Sequence, residues 1–191
     1  MLKKNIYIFL IVTAVVSLTV FMLSGQTRTH QQTTKNTPDV PPEISLLSPE
    51  QMPEVDWVDM SGRNFQAAAP AGGYLLLNFW ATWCAPCVVE FPEIIRFAEA
   101  HEDISLVLIS GDQDAEDIHD FTTAQPQDIQ DALLKNPRLH MVHDATGDIT
   151  RNIFQTFKLP ETYIINDKGQ ITAKIGGPLT AAGYEYISGM K

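Results

Sequence analysis

The strongest constraint on the fold is one apolar run together with the two cysteines that follow it. Residues 74–80 are apolar except for Asn78, which is the pattern of a strand buried on both faces of a sheet. Cys84 and Cys87, the only cysteines of the chain, come next. They are followed by apolar residues at helical spacing over residues 85–100. With only two cysteines, the chain cannot be a disulfide-rich scaffold or hold a four-cysteine zinc site.

Strands and helices alternate along the rest of the domain, which is the pattern of an α/β fold. Short apolar runs predict the strands, and helically spaced apolar stripes predict the helices. The predicted strands cover residues 104–109, 139–142, 161–166 and 171–175, and the predicted helices cover residues 114–124, 126–135, 148–157 and 180–190. A turn between the last two strands predicts an antiparallel pair. A Ser-Gly turn within residues 56–65 predicts an N-terminal β-hairpin extension in front of this core.

The N-terminal segment has the length and composition of a membrane anchor. Residues 6–23 carry no charge, and these 18 residues would form a helix of roughly 27 Å, close to the hydrocarbon thickness of a bilayer. Lys3 and Lys4 precede the segment and favour a cytoplasmic N-terminus. We therefore expect residues 1–24 to be a single-pass transmembrane helix in the inner (cytoplasmic) membrane, with the domain facing the periplasm or the cell exterior. A cleaved signal sequence is the alternative, although the run lacks the small residues of a cleavage site.

Composition divides the remaining chain into a linker and a folded domain. Residues 25–43 are rich in Thr, Gln and Pro and show no apolar period, so we expect a flexible linker. Residues 44–191 form the predicted domain and carry 9 basic and 21 acidic side chains. The whole chain has a formal net charge of −10. This charge disfavours nucleic acid as a partner, because no basic surface is available to neutralise phosphates.

The two cysteines carry the strongest chemical signal. At the N-terminus of a helix, unpaired N–H groups and the helix dipole stabilise a thiolate on the first cysteine. We therefore predict that Cys84 is the exposed nucleophile and that Cys87, one turn inside the helix, resolves the mixed disulfide. A permanent structural disulfide is a weaker alternative, because closing so short a loop removes little chain entropy. Half of a zinc site is the other alternative, and it would need two further ligands.

The motifs around these cysteines resemble the thioredoxin superfamily, and within it the membrane-anchored, exported TlpA/ResA/CcmG branch. The resemblance covers residues 56–176, and it is carried by LNFWATWCAPC at 77–87, EFP at 90–92, LPETYII at 159–165 and DKG at 167–169. It implies a thioredoxin-like α/β fold, in which helices flank a central mixed sheet. It also implies thiol–disulfide exchange in an oxidising compartment.

The resemblance assigns roles to Pro160 and Glu90 as well. Pro160 matches the family's cis-proline across from the cysteines, where the backbone of Leu159 would pair with a substrate strand. The alternative is an ordinary trans proline at the start of a strand. Glu90 matches the glutamate on the cysteine helix and would accept the proton of Cys87, whereas an exposed glutamate without a role is the alternative. Classical thioredoxins carry a buried Asp in the preceding strand, where this chain has Asn78.

These features predict an exported, membrane-anchored disulfide reductase that acts through Cys84 and Cys87. A disulfide oxidase or isomerase of the same fold is one alternative, and a non-enzymatic metal chaperone or binding module is another. The expected partners are protein thiols and disulfides, among them apocytochrome c, and an upstream electron donor in the membrane. We expect no cofactor besides the disulfide and no metal, although His140 and His143 are closely spaced. Residues 122–138 are interpreted as a surface insertion, with partner binding as the alternative.

Overall fold

The fold is a mixed β-sheet with helices packed against it. A computed structural model describes residues 44–190, and within them six strands form one sheet in the order β1-β6-β5-β2-β3-β4. The strands are β1 (Ile44–Gln51), β2 (Tyr74–Trp80), β3 (Ile104–Ser110), β4 (Leu139–His143), β5 (Glu161–Asn166) and β6 (Gln170–Gly176). The helices are α1 (Ala85–Ala100), α2 (Ala115–Thr123), α3 (Gln127–Lys135) and α4 (Ala181–Gly189), and a six-residue π-helix, Asp148–Ile153, lies between β4 and β5.

Strand direction divides the sheet into two parts. β2, β3 and β4 run parallel to one another. β5 is antiparallel to β2, β6 is antiparallel to β5, and β1 is antiparallel to β6. The predicted α/β fold with a central mixed sheet is thus confirmed. Because the parallel strands are connected through helices, both faces of β2 and β3 are covered, as their continuous apolar runs predicted.

The side chains of β2 alternate between two hydrophobic cores. Leu76 and Trp80 pack into the core that contains the buried face of α1. Leu75 points into the opposite core, which also holds Trp57 and Phe154. Burying a leucine completely contributes about 1.5–3 kcal/mol relative to leaving it exposed. The strand that leads into the cysteines is therefore packed from both sides.

The N-terminal β-hairpin predicted at residues 56–65 is wrong in its extent, although the Ser-Gly turn forms. Only an isolated antiparallel bridge between Val58 and Asn64 forms there. The Asp59 carboxylate accepts hydrogen bonds from the backbone N–H groups of Ser61 and Arg63, which closes the turn. The strand that precedes the core is β1 instead, and it pairs with β6.

The sequence pattern did not indicate β1 because it is an edge strand with one buried side chain. Ile44 is buried, whereas the rest of the strand is exposed or half-buried. Pro49 lies within the strand, where the pairing register shifts between Leu46 and Glu50. A proline is tolerated at such an edge position because it has no N–H group to donate to a ladder. The stretch therefore shows neither alternation nor a continuous apolar run.

The α-helix predicted at residues 148–157 is also wrong in its extent. The π-helix there has six residues, and Phe157 is 77% exposed instead of packing inward. The hydroxyl of Tyr163 donates a hydrogen bond to the carbonyl oxygen of Phe154 at 2.8 Å. This bond ties the end of the π-helix to β5, and the N–H of Thr156 donates back to the carbonyl oxygen of Thr150 at 2.8 Å. Gln155 then adopts a left-handed conformation with φ 52°, and the chain leaves the helix.

The other helices and strands begin and end within one residue of their predictions. The insertion at residues 122–138 contains α3. The predicted anchor and linker, residues 1–24 and 25–43, lie outside the described residues. Among residues 44–190, no helix is both long enough and apolar enough to cross a membrane.

Candidate active site

The cysteines lie at the edge of the sheet where the parallel strands end. Trp80, Ser110 and His143 are the last residues of β2, β3 and β4, and they lie side by side. Cys84 follows β2 after a short turn and occupies the N-cap position of α1. In open α/β sheets, ligands bind outside this edge.

The cis peptide bond between Leu159 and Pro160 is brought to the same edge. β5 runs antiparallel to β2, so its first residue, Glu161, pairs with Phe79 near the end of β2. Leu159 packs against the hydrophobic cluster that contains both cysteines. The predicted cis geometry is confirmed, and a role for this loop in substrate binding stays a prediction.

Cys84 and Cys87 form a disulfide, with their Cα atoms 5.2 Å apart. Cys84 is 7% exposed and Cys87 is 2% exposed. The prediction of an exposed Cys84 is therefore wrong for the disulfide form, because this residue packs into the hydrophobic cluster. Cys84 is still the more accessible of the two, and its neighbour Trp83 is 68% exposed. No side chain caps α1, so the N–H groups of its first turn can stabilise a thiolate after reduction.

Glu90 lies one turn after Cys87 on the same face of α1, and it is buried. The residue is 5% exposed, and its carboxylate accepts hydrogen bonds from Asn78 Nδ2 at 3.2 Å and from Leu179 N at 3.3 Å. Burial raises the pKa of Glu90 from 4.5 to about 7, and the two hydrogen bonds limit the rise. The alternative of an exposed helix glutamate is thus wrong. Glu90 is a carboxyl group that can gain or lose a proton near neutral pH.

Asn78 links three elements next to the disulfide. Its side-chain amide on β2 donates to Glu90 Oε1 on α1 and to Thr162 Oγ1 on β5, the latter at 3.0 Å. All three side chains are buried. Because an amide does not titrate, Asn78 fixes the position of Glu90 without competing for its proton.

Asp112, which the sequence did not single out, lies two residues after β3 at the same edge. It is 1% exposed, and its carboxylate accepts hydrogen bonds from the backbone N–H of Thr82 at 3.0 Å and from the hydroxyl of Thr82 at 2.6 Å. It therefore holds the turn that leads to Cys84. One signal was present: an acidic residue follows a buried parallel strand at the edge where ligands bind.

Glu161, within the LPETYII motif, was also not singled out. It follows the cis bond directly and is 8% exposed. Its carboxylate accepts a hydrogen bond from the hydroxyl of Thr156 at 2.6 Å and pairs with Lys174 Nζ at 3.1 Å. Because both of its oxygens have partners, we interpret Glu161 as support for the loop that carries Pro160.

His140 and His143 have different neighbours. Three residues apart on a strand, they point to opposite faces of the sheet. His140 stacks on Phe65 with ring centroids 3.8 Å apart, whereas His143 Nε2 contacts the carbonyl oxygen of Asp112 at 2.9 Å. Within residues 44–190, no group of three His, Cys, Asp or Glu side chains could hold a metal ion.

The insertion at residues 122–138 lines a cavity away from the cysteines. The cavity has a volume of about 310 Å³ and lies between α2, α3, β4 and the turn at Met60. Leu133, Leu139 and Met141 are among its apolar lining residues. Neither cysteine lines it, so it is not part of the candidate active site.

The sequence of this chain matches a known protein family and several characterised relatives. The sequence profile of the Redoxin family matches residues 48–187. The sporulation thiol-disulfide oxidoreductase A of Bacillus subtilis is 30% identical over 112 residues, which cover 58% of this chain and 63% of that protein. The thiol-disulfide oxidoreductase ResA of Bacillus cereus is 26% identical over 131 residues, which cover 69% of this chain and 70% of that protein. The thiol:disulfide interchange protein DsbE of Pseudomonas aeruginosa is 34% identical over 115 residues, which cover 60% of this chain and 57% of that protein.

Solved structures agree with the fold. The crystal structure of StoA from Bacillus subtilis superposes with a TM-score of 0.53 at 21% identity, covering 78% of this chain and 98% of that one. A putative DsbE from Chlorobium tepidum superposes with a TM-score of 0.58 at 20% identity, covering 76% and 96%. At these identities the likeness supports the architecture, while the chemistry depends on the residues described above.

The raised pKa of Glu90 predicts a pH-dependent stability. A carboxyl group whose folded-state pKa is raised contributes stability that is present below about pH 4.5 and is lost as the pH rises through about 7. Glu90→Gln lacks this loss. As the pH rises from 4 to 8, the free energy of unfolding of Glu90→Gln should therefore increase by about 3 kcal/mol relative to that of the wild type. Urea denaturation of the oxidised protein across this range measures the difference.

Glu93→Gln is the matched control for this measurement. Glu93 lies one turn further along α1, and its side chain is 65% exposed and paired with Arg96. Its substitution should leave the pH dependence of unfolding unchanged. Parallel pH profiles for the wild type and Glu90→Gln would contradict a raised pKa at Glu90.

Proposed function

Because this chain belongs to the Redoxin family and is a thiol–disulfide oxidoreductase, we propose that it reduces protein disulfides on the exported side of the cytoplasmic membrane. The observation that carries the proposal is the Cys84–Cys87 disulfide at the start of α1, with a buried carboxyl group at Glu90 one turn further on. The apolar segment at residues 6–23 would anchor the domain.

The proposed reaction begins with the reduced pair. The Cys84 thiolate attacks one sulfur of a substrate disulfide, and the other substrate sulfur leaves as a thiolate. A mixed disulfide between Cys84 and the substrate results. Cys87 then attacks Cys84 Sγ, which releases the second substrate thiolate and forms the Cys84–Cys87 disulfide. The substrate has gained two electrons, and a dithiol donor in the membrane would return two electrons to the pair.

Glu90 is the proposed proton acceptor in the second step. Cys87 must lose its proton before it attacks, and it is 2% exposed, so water has little access to it. Glu90 lies three residues further along α1 on the same face, where side chains can meet. Its pKa of about 7 lets it accept a proton at neutral pH and release it afterwards.

Substrate binding is proposed for the surface around Trp83 and the cis bond. Trp83 is 68% exposed, and Phe157, in the loop that leads to the cis bond, is 77% exposed. Large exposed apolar side chains can contact an unfolded polypeptide, and Trp83 directly precedes Cys84. The backbone of Leu159 would pair with an extended substrate segment. Proteins that present cysteine pairs in extended chain, such as apocytochrome c, suit this surface.

The reduction potential of the Cys84–Cys87 pair tests the direction of the reaction. We expect a value near about −270 mV, as in thioredoxin, and far from about −120 mV, as in DsbA. The reason is that Glu90, one turn from the pair and about half ionised at pH 7, opposes thiolates and therefore favours the disulfide. Equilibration of the purified protein with defined dithiothreitol mixtures at pH 7 gives the potential. A value near that of DsbA would make the protein an oxidase.

Fractionation of cells tests the proposed location. The full-length protein should sediment with membranes, and protease added from the exported side should digest its domain. A variant in which residues 1–24 are replaced by a cleavable signal sequence should be released in soluble form and serves as the control. A soluble mature form that begins near Gly25 or Gln26 would show that the segment is a signal sequence.

A further inference from the structure

Asp112 is a buried carboxylate at the end of β3 that receives hydrogen bonds from two sides. Asp112 Oδ1 accepts from Thr82 Oγ1 at 2.6 Å and from Thr82 N at 3.2 Å. Asp112 Oδ2 accepts from Thr82 N at 3.0 Å and from Ser110 Oγ at 2.6 Å. Each of these partners is an N–H or O–H group that can donate a hydrogen bond. This set of partners suits an ionised carboxyl group, which can only accept hydrogen bonds.

The backbone around Asp112 is also held. Its N–H donates to Ser110 Oγ at 3.1 Å, and its carbonyl oxygen contacts His143 Nε2 at 2.9 Å. The ends of β3 and β4 and the turn after β2 are thereby joined at one residue. Among residues 44–190, no Lys or Arg forms an ion pair with Asp112. Its charge is thus solvated by hydroxyl and amide groups and not neutralised.

This arrangement places a charge close to the disulfide. Thr82 precedes Cys84 by two residues, and two residues of extended chain span at most about 7 Å. The Asp112 carboxylate therefore lies within about 10 Å of the Cys84 backbone. Asp112 is 1% exposed, so water and salt screen its charge less than they would at the surface.

We infer that Asp112 is a positioning residue that holds the turn before Cys84 and, through its buried charge, limits the fraction of Cys84 that is present as thiolate. The inference rests on the proposed role of Cys84 as the attacking thiol. A limited thiolate fraction favours the disulfide over the reduced pair, which is the property that a reductase needs. Asp112 would thus oppose the stabilisation of the thiolate by the N-terminus of α1.

Other titratable groups lie at or next to this edge. Among them are Glu90 on α1, His143 on β4, Asp144 after β4, and Glu161 on β5, which is paired with Lys174 on β6. A substitution at Asp112 leaves them in place. A shift of the labelling profile along the pH axis on that substitution therefore reports the charge of Asp112 and not its contact with the turn.

Alkylation of the reduced full-length protein tests the inference. Asp112→Asn removes the charge and keeps an acceptor oxygen for Thr82, and its amide can donate to Ser110 Oγ. Iodoacetamide labelling of Cys84, followed by mass spectrometry from pH 5 to pH 10, should be about threefold to tenfold faster than in the wild type at pH 7. The rate on the plateau at high pH should not rise and should fall slightly, because a thiolate of lower pKa is a weaker nucleophile.

Asp144→Asn is the matched control. Asp144 follows β4, is 5% exposed, and accepts hydrogen bonds from Ile149 N and Thr150 N without touching the cysteine turn. Its substitution should leave the labelling rate of Cys84 unchanged. Asp112→Ser, which is also neutral, allows the same comparison if the Asn variant does not fold.

The outcomes separate the two proposals. If Cys84 of the wild type is labelled no faster than Cys87, the proposed role of Cys84 fails. If Cys84 is the reactive thiol but Asp112→Asn labels at the wild-type rate or more slowly, the inference about Asp112 fails alone. An equal acceleration in Asp144→Asn would also overturn it, because the effect would then follow from net charge and not from Asp112.

Discussion

The hydrogen bond from the Asn78 amide to the Glu90 carboxylate holds the active site together. The same amide reaches Thr162 on β5, and the backbone N–H before α4 donates to the other oxygen of Glu90. Helix α1, two strands of the sheet and the segment before the last helix therefore meet around the Asn78 amide and the Glu90 carboxyl group. Because this group is buried, it can carry a negative charge only at a cost, and its pKa rises to about 7. Burial thus makes Glu90 a group that can accept a proton near neutral pH, and the hydrogen bonds hold it in place.

The remaining features of the site follow from the sheet. Parallel β2 and β3 end side by side, which brings the turn before Cys84 next to Asp112. Antiparallel β5 starts where β2 ends, which brings the cis bond at Pro160 to the same edge. Two buried carboxyl groups, Glu90 and Asp112, thus lie on the elements that position the cysteines. In the proposed mechanism, Glu90 accepts a proton, and Asp112 limits how easily the first thiol ionises.

Sequence could predict those parts whose signal is local. The apolar run of β2, the cysteine spacing and the stripe on α1 were sufficient for the core of the fold, and the family motifs indicated Glu90 and the cis bond. Edge strand β1 was not predicted because a strand with one buried side chain shows no hydrophobic pattern. The predicted helix at residues 148–157 was too long because Gln155 adopts a left-handed conformation and the N–H of Thr156 bonds back to the carbonyl oxygen of Thr150, contacts that no local sequence pattern indicates. The role of Asp112 was not predicted because its hydrogen-bond partner Thr82 is thirty residues away in the sequence.

The most direct test of this account is the rate of exchange with a protein disulfide from pH 5 to pH 9, in Glu90→Gln and in Glu93→Gln. If Glu90 accepts the proton of Cys87, resolution of the mixed disulfide in the wild type should accelerate as the pH rises through about 7. Glu90→Gln should lose this acceleration and slow by about 10²-fold, whereas Glu93→Gln should match the wild type. Wild-type rates in Glu90→Gln across the whole range would contradict the account, because the proton would then leave Cys87 by another route.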